Sequence, residues 1–158
     1  MAIAQWIHDF LRRERVPYTT FAHRAAYTAQ QEAEVSHIQG RHWAKIVVCF
    51  ADSEPIQAIV PAHMVVDLDR LRALVQAQTV RLASEAEMLG MYPGCELGAM
   101  PPFGPIYKQR VFVDRSLVGD PEMVFNAGTH TDALCVHYDD FAAIVRPTVG
   151  TFGTPLRH

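Results

Sequence analysis

Lys45-Ile-Val-Val-Cys-Phe-Ala-Asp-Ser-Glu-Pro-Ile-Gln-Ala-Ile-Val60 is the stretch that decides the fold. Residues 45–50 are apolar on both faces and rich in β-branched side chains, the pattern of a strand buried on both sides. Asp52-Ser-Glu-Pro55 is turn chemistry: short polar side chains that bond nearby backbone, and a proline with fixed φ. A second apolar run, 56–60, follows at once. Two strands joined by so short a turn predict a hairpin. A hairpin excludes a purely parallel, doubly wound sheet, whose strands need crossover connections of a dozen or more residues. The expected architecture is a single α+β domain, with a mixed, mostly antiparallel or barrel-like sheet surrounded by helices.

Outward from the hairpin, the chain alternates helix and strand signals. On the N-terminal side Ile3, Trp6, Ile7, Phe10 and Leu11 share one helical face, and Pro17 ends that helix. Residues 18–21 read as a short strand. Thr28 with Gln31 makes a capping-box pattern that opens a second helix, with Gly40 as its stop. On the C-terminal side Asp67 caps a helix carrying Leu68, Leu71, Leu74 and Val75. Residues 80–82 are strand-like. Ser84 with Glu87 forms a second capping box, opening a helix that Pro93 and Gly94 end. Strands at 111–114 and 123–126 flank a turn, a further strand covers 133–137, and a last helix runs over 138–145 before Pro147. Residues 151–158 are rich in Gly, Thr and Pro and read as a flexible tail, which leaves 1–150 as the domain.

A chain of 158 residues suits one domain with a real core. Hydrophobic residues at 49% against 20% charged exclude a disordered chain. The formal net charge of −3 argues against a generic nucleic-acid coat and against DNA as a partner. It leaves room for local basic patches at Arg12/Arg13/Arg15, Arg41/His42/Lys45 and Lys108/Arg110. No apolar run approaches the ~20 residues of a membrane span. His8, Asp9, Arg12 and Arg13 interrupt anything resembling a secretory leader. Cys49, Cys95 and Cys135 are odd in number, far apart and without metal-ligand spacing. The expectation is a cytoplasmic protein with reduced thiols and no metal or cofactor.

Chemistry has few places to sit. Gly94-Cys-Glu-Leu-Gly-Ala-Met-Pro-Pro-Phe-Gly104 combines three glycines with two adjacent prolines and one charged group, Glu96. It suits neither helix nor strand and is too apolar for a solvated linker, so it reads as an ordered loop with its backbone as the working surface. Asn126-Ala-Gly-Thr-His-Thr-Asp132 joins two strands and has two readings. One is a tight turn, since Asn, Gly, Thr and Asp all favour turns. The other is a substrate loop in which His130 is an acid, a base or a donor. Lys45 has two readings as well: a strand-end lysine reaching for solvent, or a cation aimed at a phosphate or carboxylate. His37 and His42 are five apart, which is not a helical ligand pair, and no GxSxG, P-loop or GxGxxG is present. Cys49, inside an apolar strand, is inert. An enzyme built from this inventory leans on positioning and backbone donors.

The chain resembles the YbaK/prolyl-tRNA-synthetase-associated family of aminoacyl-tRNA editing domains. The resemblance rests on His23-x-x-x-Tyr27-Thr28-Ala29-Gln30-x-Glu32-Ala33, Ala44-Lys45-x-Val47-Val48, and Val60-Pro61-Ala62 with Val66-Asp67-Leu68. It continues through Leu82-Ala83-Ser84-x-x-Glu87, Gly98-Ala99-Met100-Pro101-Pro102-Phe103-Gly104 and Phe125-Asn126-Ala127-Gly128-Thr129-His130-Thr131-Asp132. Each segment is weak alone; together, in the family's order, they cover roughly residues 20–148. The resemblance implies a free-standing deacylase that hydrolyses the ester of a mischarged small amino acid, of the Ala, Ser or Cys type, from the tRNA 3′ end. It implies no side-chain nucleophile; water, the ribose 2′-OH or the substrate's own side chain attacks. Lys45 and His130 would be the catalytic residues, Lys45 engaging the 3′-terminal adenosine and its phosphate. Gly98, Ala99, Met100, Pro101, Pro102 and Phe103 would hold the aminoacyl group, opposite Asn126, Gly128, Thr129 and Asp132. Partners would be the mischarged tRNA together with an aminoacyl-tRNA synthetase or elongation factor. The alternative is a non-catalytic module that binds tRNA ends or a synthetase.

Overall fold

A computed structural model describes residues 5–23 and 39–156. In chain order these form α1 (Gln5–Arg13), β1 (Thr19–Ala22), β2 (Ala44–Ala51), β3 (Glu54–Pro61), β4 (Met64–Val66), α2 (Leu68–Val75), β5 (Val80–Leu82) and α3 (Glu85–Leu89). Then come β6 (Arg110–Asp114), β7 (Met123–Asn126), β8 (Asp132–Val136), α4 (Tyr138–Val145), β9 (Thr148–Gly150) and β10 (Gly153–Pro155). The helix expected from Thr28 lies on residues 24–38, outside the described residues, as does His37.

The anticipated hairpin is the centre. β2 and β3 pair antiparallel from Ala44↔Pro61 to Ala51↔Glu54, across a turn at Asp52 and Ser53. They occupy the middle of a five-stranded sheet ordered β5-β2-β3-β6-β9. β5 adds antiparallel to β2, whereas β6 runs parallel to β3 and β9 parallel to β6. A second sheet, β1-β8-β7, is antiparallel throughout. A parallel bridge between Trp43 and Val124 joins the start of β2 to β7 and gives the pair of sheets a barrel-like character. The class is therefore mixed α+β, as expected.

Strands 111–114 and 123–126 do not pair with each other. β6 belongs to the large sheet and β7 to the small one. Asp114 accepts from the Ser116 amide and starts a 3-10 turn over Arg115–Leu117, which carries the chain from one sheet to the other instead of reversing it.

Side chains alternate across a strand, so the large sheet has two distinct faces. On one, Ala44, Ile46, Ile59, Val111 and Val113 pack with Phe103, α1, α4 and the inner side of the small sheet. On the other, Cys49, Ile56, Ala58, Val60 and Phe112 pack with Leu71 and Val75 of α2 and with Phe152. α2 carries the expected cap: the Asp67 carboxylate accepts from the amides of Asp69 and Arg70. The Ser84/Glu87 capping box forms too, and a hydrogen bond from Arg81, ahead of the one from the Ser84 amide, holds the Glu87 carboxyl down at about 2.

The C-terminal residues differ from the flexible tail expected at 151–158. Phe152 is fully buried, and β10 pairs antiparallel with β4. The reason is the buried carboxylate of Asp114. It accepts from Ser116 Oγ at 2.5 Å, the Gly153 amide at 2.7 Å, the Phe152 amide at 3.0 Å and the Ser116 amide at 3.1 Å. Burial alone would raise its pKa, but these donors outweigh it and the net direction is downward. A carboxyl with a depressed folded pKa stabilises the fold above its unfolded pKa, about 3.9, and loses that contribution as pH falls through the folded value. Asp114→Asn should therefore cost about 1–3 kcal/mol at pH 7, with the difference from wild type shrinking below about pH 4 in urea unfolding.

Candidate active site

The loop at 94–104 and the loop at 126–132 meet and are locked backbone to backbone. The Gly128 amide donates to the Ala99 carbonyl at 2.9 Å, and the Glu96 amide donates to the Gly128 carbonyl at 2.8 Å. Gly128 sits at φ +94° and Gly98 at +82°, a region that side chains strain to enter. His130 adds a third tie: its Nε2 lies 2.5 Å from the Leu97 carbonyl. A carbonyl only accepts, so Nε2 carries the proton. The ring is buried, and a Cβ added to Gly98 would stand 3.3 Å from its Cε1. His130 is therefore packed under the tip of the opposite loop.

The second loop is braced from within. Thr129 Oγ1 donates to Asp132 Oδ2 at 2.6 Å and accepts from the amides of Asp132 and Thr131. The Ala127 amide returns to the Asp132 carbonyl. Thr129 and Asp132 thus do what the turn reading asks of them, and Asn126 is buried at the end of β7. In the first loop Gly98 is exposed, whereas Ala99, Met100, Pro101, Pro102 and Phe103 are all buried. Phe103 packs between Phe10 and Phe125, and Met100 lies against Val48 and Tyr92. Gly98 is the part of this motif that meets solvent. Its amide donates to the Met100 thioether at 3.2 Å, a weak acceptor.

Lys45 stands apart. Alternation along β2 sends it to the face of Val47 and Cys49, opposite Val48 and the loop. Its Nζ donates to the Met64 carbonyl at 2.7 Å. Burial pushes its pKa down, and among the described residues no carboxylate pairs with it. The structure thus joins His130 to the 98–102 loop directly, while Lys45 occupies the opposite face near the start of β2.

Three further residues belong to the site. Gln57, fully buried on β3, donates through Nε2 to the Pro101 carbonyl at 3.3 Å and to the Tyr92 hydroxyl at 3.4 Å. Tyr92 passes its own proton to Oε1 of buried Gln109 in a short hydrogen bond. Gln57 Oε1 finds no partner among the described residues, a cost of about 1–3 kcal/mol. The sequence signal was present: one amide interrupts the apolar run 56–60. Cys95 is half-buried, with burial pushing its thiol pKa up, which does not favour a nucleophile. No group of three or more His, Cys, Asp or Glu among the described residues is arranged to hold a metal ion. No described helix is long and apolar enough to cross a membrane.

Two glycine-bearing loops, clasped backbone to backbone and exposed at Gly98, form the candidate site on a mixed α+β scaffold. The chain belongs to the aminoacyl-tRNA editing domain family, which it matches over residues 23–144. Among solved structures it is similar to a hypothetical protein, APE2540, with TM-score 0.83 and 14% identity over 94% of this chain and 99% of that one. It is similar also to a candidate trans-editing enzyme for prolyl tRNA synthetase, with TM-score 0.78, 19% identity and 94% of each chain covered. A candidate signal transduction protein from Marinobacter aquaeolei VT8 has TM-score 0.74 and 17% identity over 97% of this chain but 31% of its own. At these identities the likeness is one of fold. Among curated proteins no relative matches the chain.

Gly98→Ala should lower stability by about 1–2 kcal/mol, since the new Cβ meets both an unfavourable φ and the His130 ring. Thermal unfolding would measure the loss, and the His130 ring NMR signals should shift while those of His8 do not.

Proposed function

We propose that the protein is a trans-editing deacylase that hydrolyses the ester joining a mischarged small amino acid, of the Ala, Ser or Cys type, to the 3′ end of tRNA. The observation that carries this reading is the clasp of residues 96–99 onto Gly128 and His130, which anchors an exposed glycine tip over a buried imidazole. Family membership supports editing as the reaction class.

The chemistry asks little of side chains. An aminoacyl ester is already activated, so water can attack its carbonyl carbon; attack by the ribose 2′-OH only moves the acyl group to the 2′ oxygen, from which water must still release it. The ester C–O bond then breaks, and the ribose oxygen leaves with a proton. Catalysis consists of holding the ester and stabilising the oxyanion. The Gly98 amide suits the second task, because a developing oxyanion is a far better acceptor than the thioether it now meets. In this reading His130 fixes that amide by tying Leu97, and so is a positioning residue. Lys45, a half-buried cation with no carboxylate partner among the described residues, takes the phosphate of the terminal adenosine from the other face of β2. In this reading the preference for a small amino acid is the steric half of double-sieve editing, in which a larger one is kept from the site by its size.

Purified protein incubated with Ala-, Ser- and Cys-tRNA should release free amino acid from at least one of them. tRNA binding without turnover on any would replace this reading with the non-catalytic module. Lys45→Ala should lower kcat/KM by about a hundredfold or more, the effect of losing a charged contact that holds the reacting end. Full activity in that variant would remove the role given to Lys45.

A further inference from the structure

Gln57 is out of place by the rules of its strand. Ile56, Ala58, Ile59 and Val60 around it are apolar and fully buried. Its neighbours across the sheet, Val48 on β2 and Val111 on β6, are apolar as well. Nothing in the sheet requires a polar side chain there, and its Oε1 has no described partner. A leucine or methionine would satisfy the strand at lower cost.

What the amide does is reach off the sheet. One N–H goes to the Pro101 carbonyl, in the middle of the loop. The other goes to the hydroxyl of Tyr92, which lies just before the loop and donates in turn to Gln109. Gln109 lies just after it and closes its last turn through its own amide to the Gly104 carbonyl. The start, middle and end of the loop are therefore referred to one side chain of the central hairpin. Pro101 and Pro102 contribute no amide protons to this segment, so it depends on donors from outside to fix its carbonyls.

We propose that Gln57 is a positioning residue for the deacylation: its side-chain amide, backed by Tyr92 and Gln109, fixes the Pro101 carbonyl against the sheet and thereby the presentation of Gly98 at the exposed tip. The inference rests on the editing reading for its chemistry, but the placement of the loop can be read without it. It makes the floor of the site a polar network that touches no substrate and acts only through the loop.

The test uses the full-length chain and three variants. Gln57→Leu removes both donors while suiting the apolar strand. Tyr92→Phe removes the link to Gln109 and keeps the ring. Gln57→Glu preserves the shape but, when ionised, offers only acceptors to the Pro101 carbonyl. In the absence of tRNA, amide exchange in residues 97–104 should quicken about tenfold in Gln57→Leu and less in Tyr92→Phe. Residues 44–51 should be unchanged, which separates loop release from general destabilisation. In deacylation assays kcat should fall about tenfold in Gln57→Leu with KM within twofold of wild type. Gln57→Glu should regain activity as pH falls and its buried carboxyl takes a proton and becomes a donor; wild type should show no such rise. Unchanged exchange in residues 97–104 of Gln57→Leu overturns the inference, as does a Gln57→Glu pH profile that follows wild type. A wild-type protein inactive on every tRNA, together with faster loop exchange in Gln57→Leu, overturns the editing reading alone and upholds the anchoring of the loop.

Discussion

Everything at the site depends on how the backbone of Gly128 is held. Its amide and its carbonyl are both spent on the opposite loop, one donating to Ala99 and the other accepting from Glu96. Facing both groups the same way requires φ +94°, where a Cβ would be strained. The clasp therefore specifies glycine at 128 for backbone reasons and leaves its neighbours free to brace it. Thr129 and Asp132 close the turn, and His130 extends the clasp by one side-chain bond to Leu97. A ring committed in this way is a poor shuttle for protons and a good strut. The chemistry of the site is better sought in backbone groups it fixes, of which the Gly98 amide is the one facing a weak partner.

The second constraint is the two-faced central sheet. β2 turns Val48 toward the loop and Lys45 toward α2 and β4, because adjacent residues of a strand cannot share a face. The strand thus presents a cation on one side and supports the 98–102 loop on the other. The surface ion pairs, Arg81–Glu87 and Arg110–Glu54, lie outside both groups and, being exposed and screened by water, contribute little. Lys45 differs from them: it is half-buried, burial pushes its pKa down, and among the described residues its ammonium meets the Met64 carbonyl and no carboxylate.

Local chemistry made much of this legible in the sequence. The hairpin at 45–60 followed from an apolar run, a polar turn and another run; the caps at Asp67 and Ser84 followed from side-chain oxygens placed one residue before a helix. What escaped was non-local. β4, β9 and β10 are three residues each, too short to show a period, and they exist because Asp114 and Phe152 pin the C-terminal segment. The partners of β6 are parallel strands distant in sequence, and no turn signal announces them. At the site, the family resemblance gives Ala99, Met100 and Phe103 the aminoacyl group to hold, and the structure shows their side chains buried. An apolar side chain within a functional motif carries two meanings that sequence alone does not separate: contact with the ligand, or ballast that keeps the backbone still.

Gln57 bears on that ambiguity, because it bonds the backbone of the loop and not its side chains. A loop with a free backbone would leave the Pro101 carbonyl to water. This loop is instead fixed from below by a buried amide, from one side by Gly128 and His130, and from within by two prolines. Such rigidity is costly in a strand that would otherwise be wholly apolar, and it is useful only if the positions of backbone dipoles matter. An oxyanion is stabilised by donors that need not reorganise when charge appears, so a fixed amide is worth more than a mobile one. The backbone anchoring of residues 96–101, more than the identity of any one side chain, is what these contacts supply.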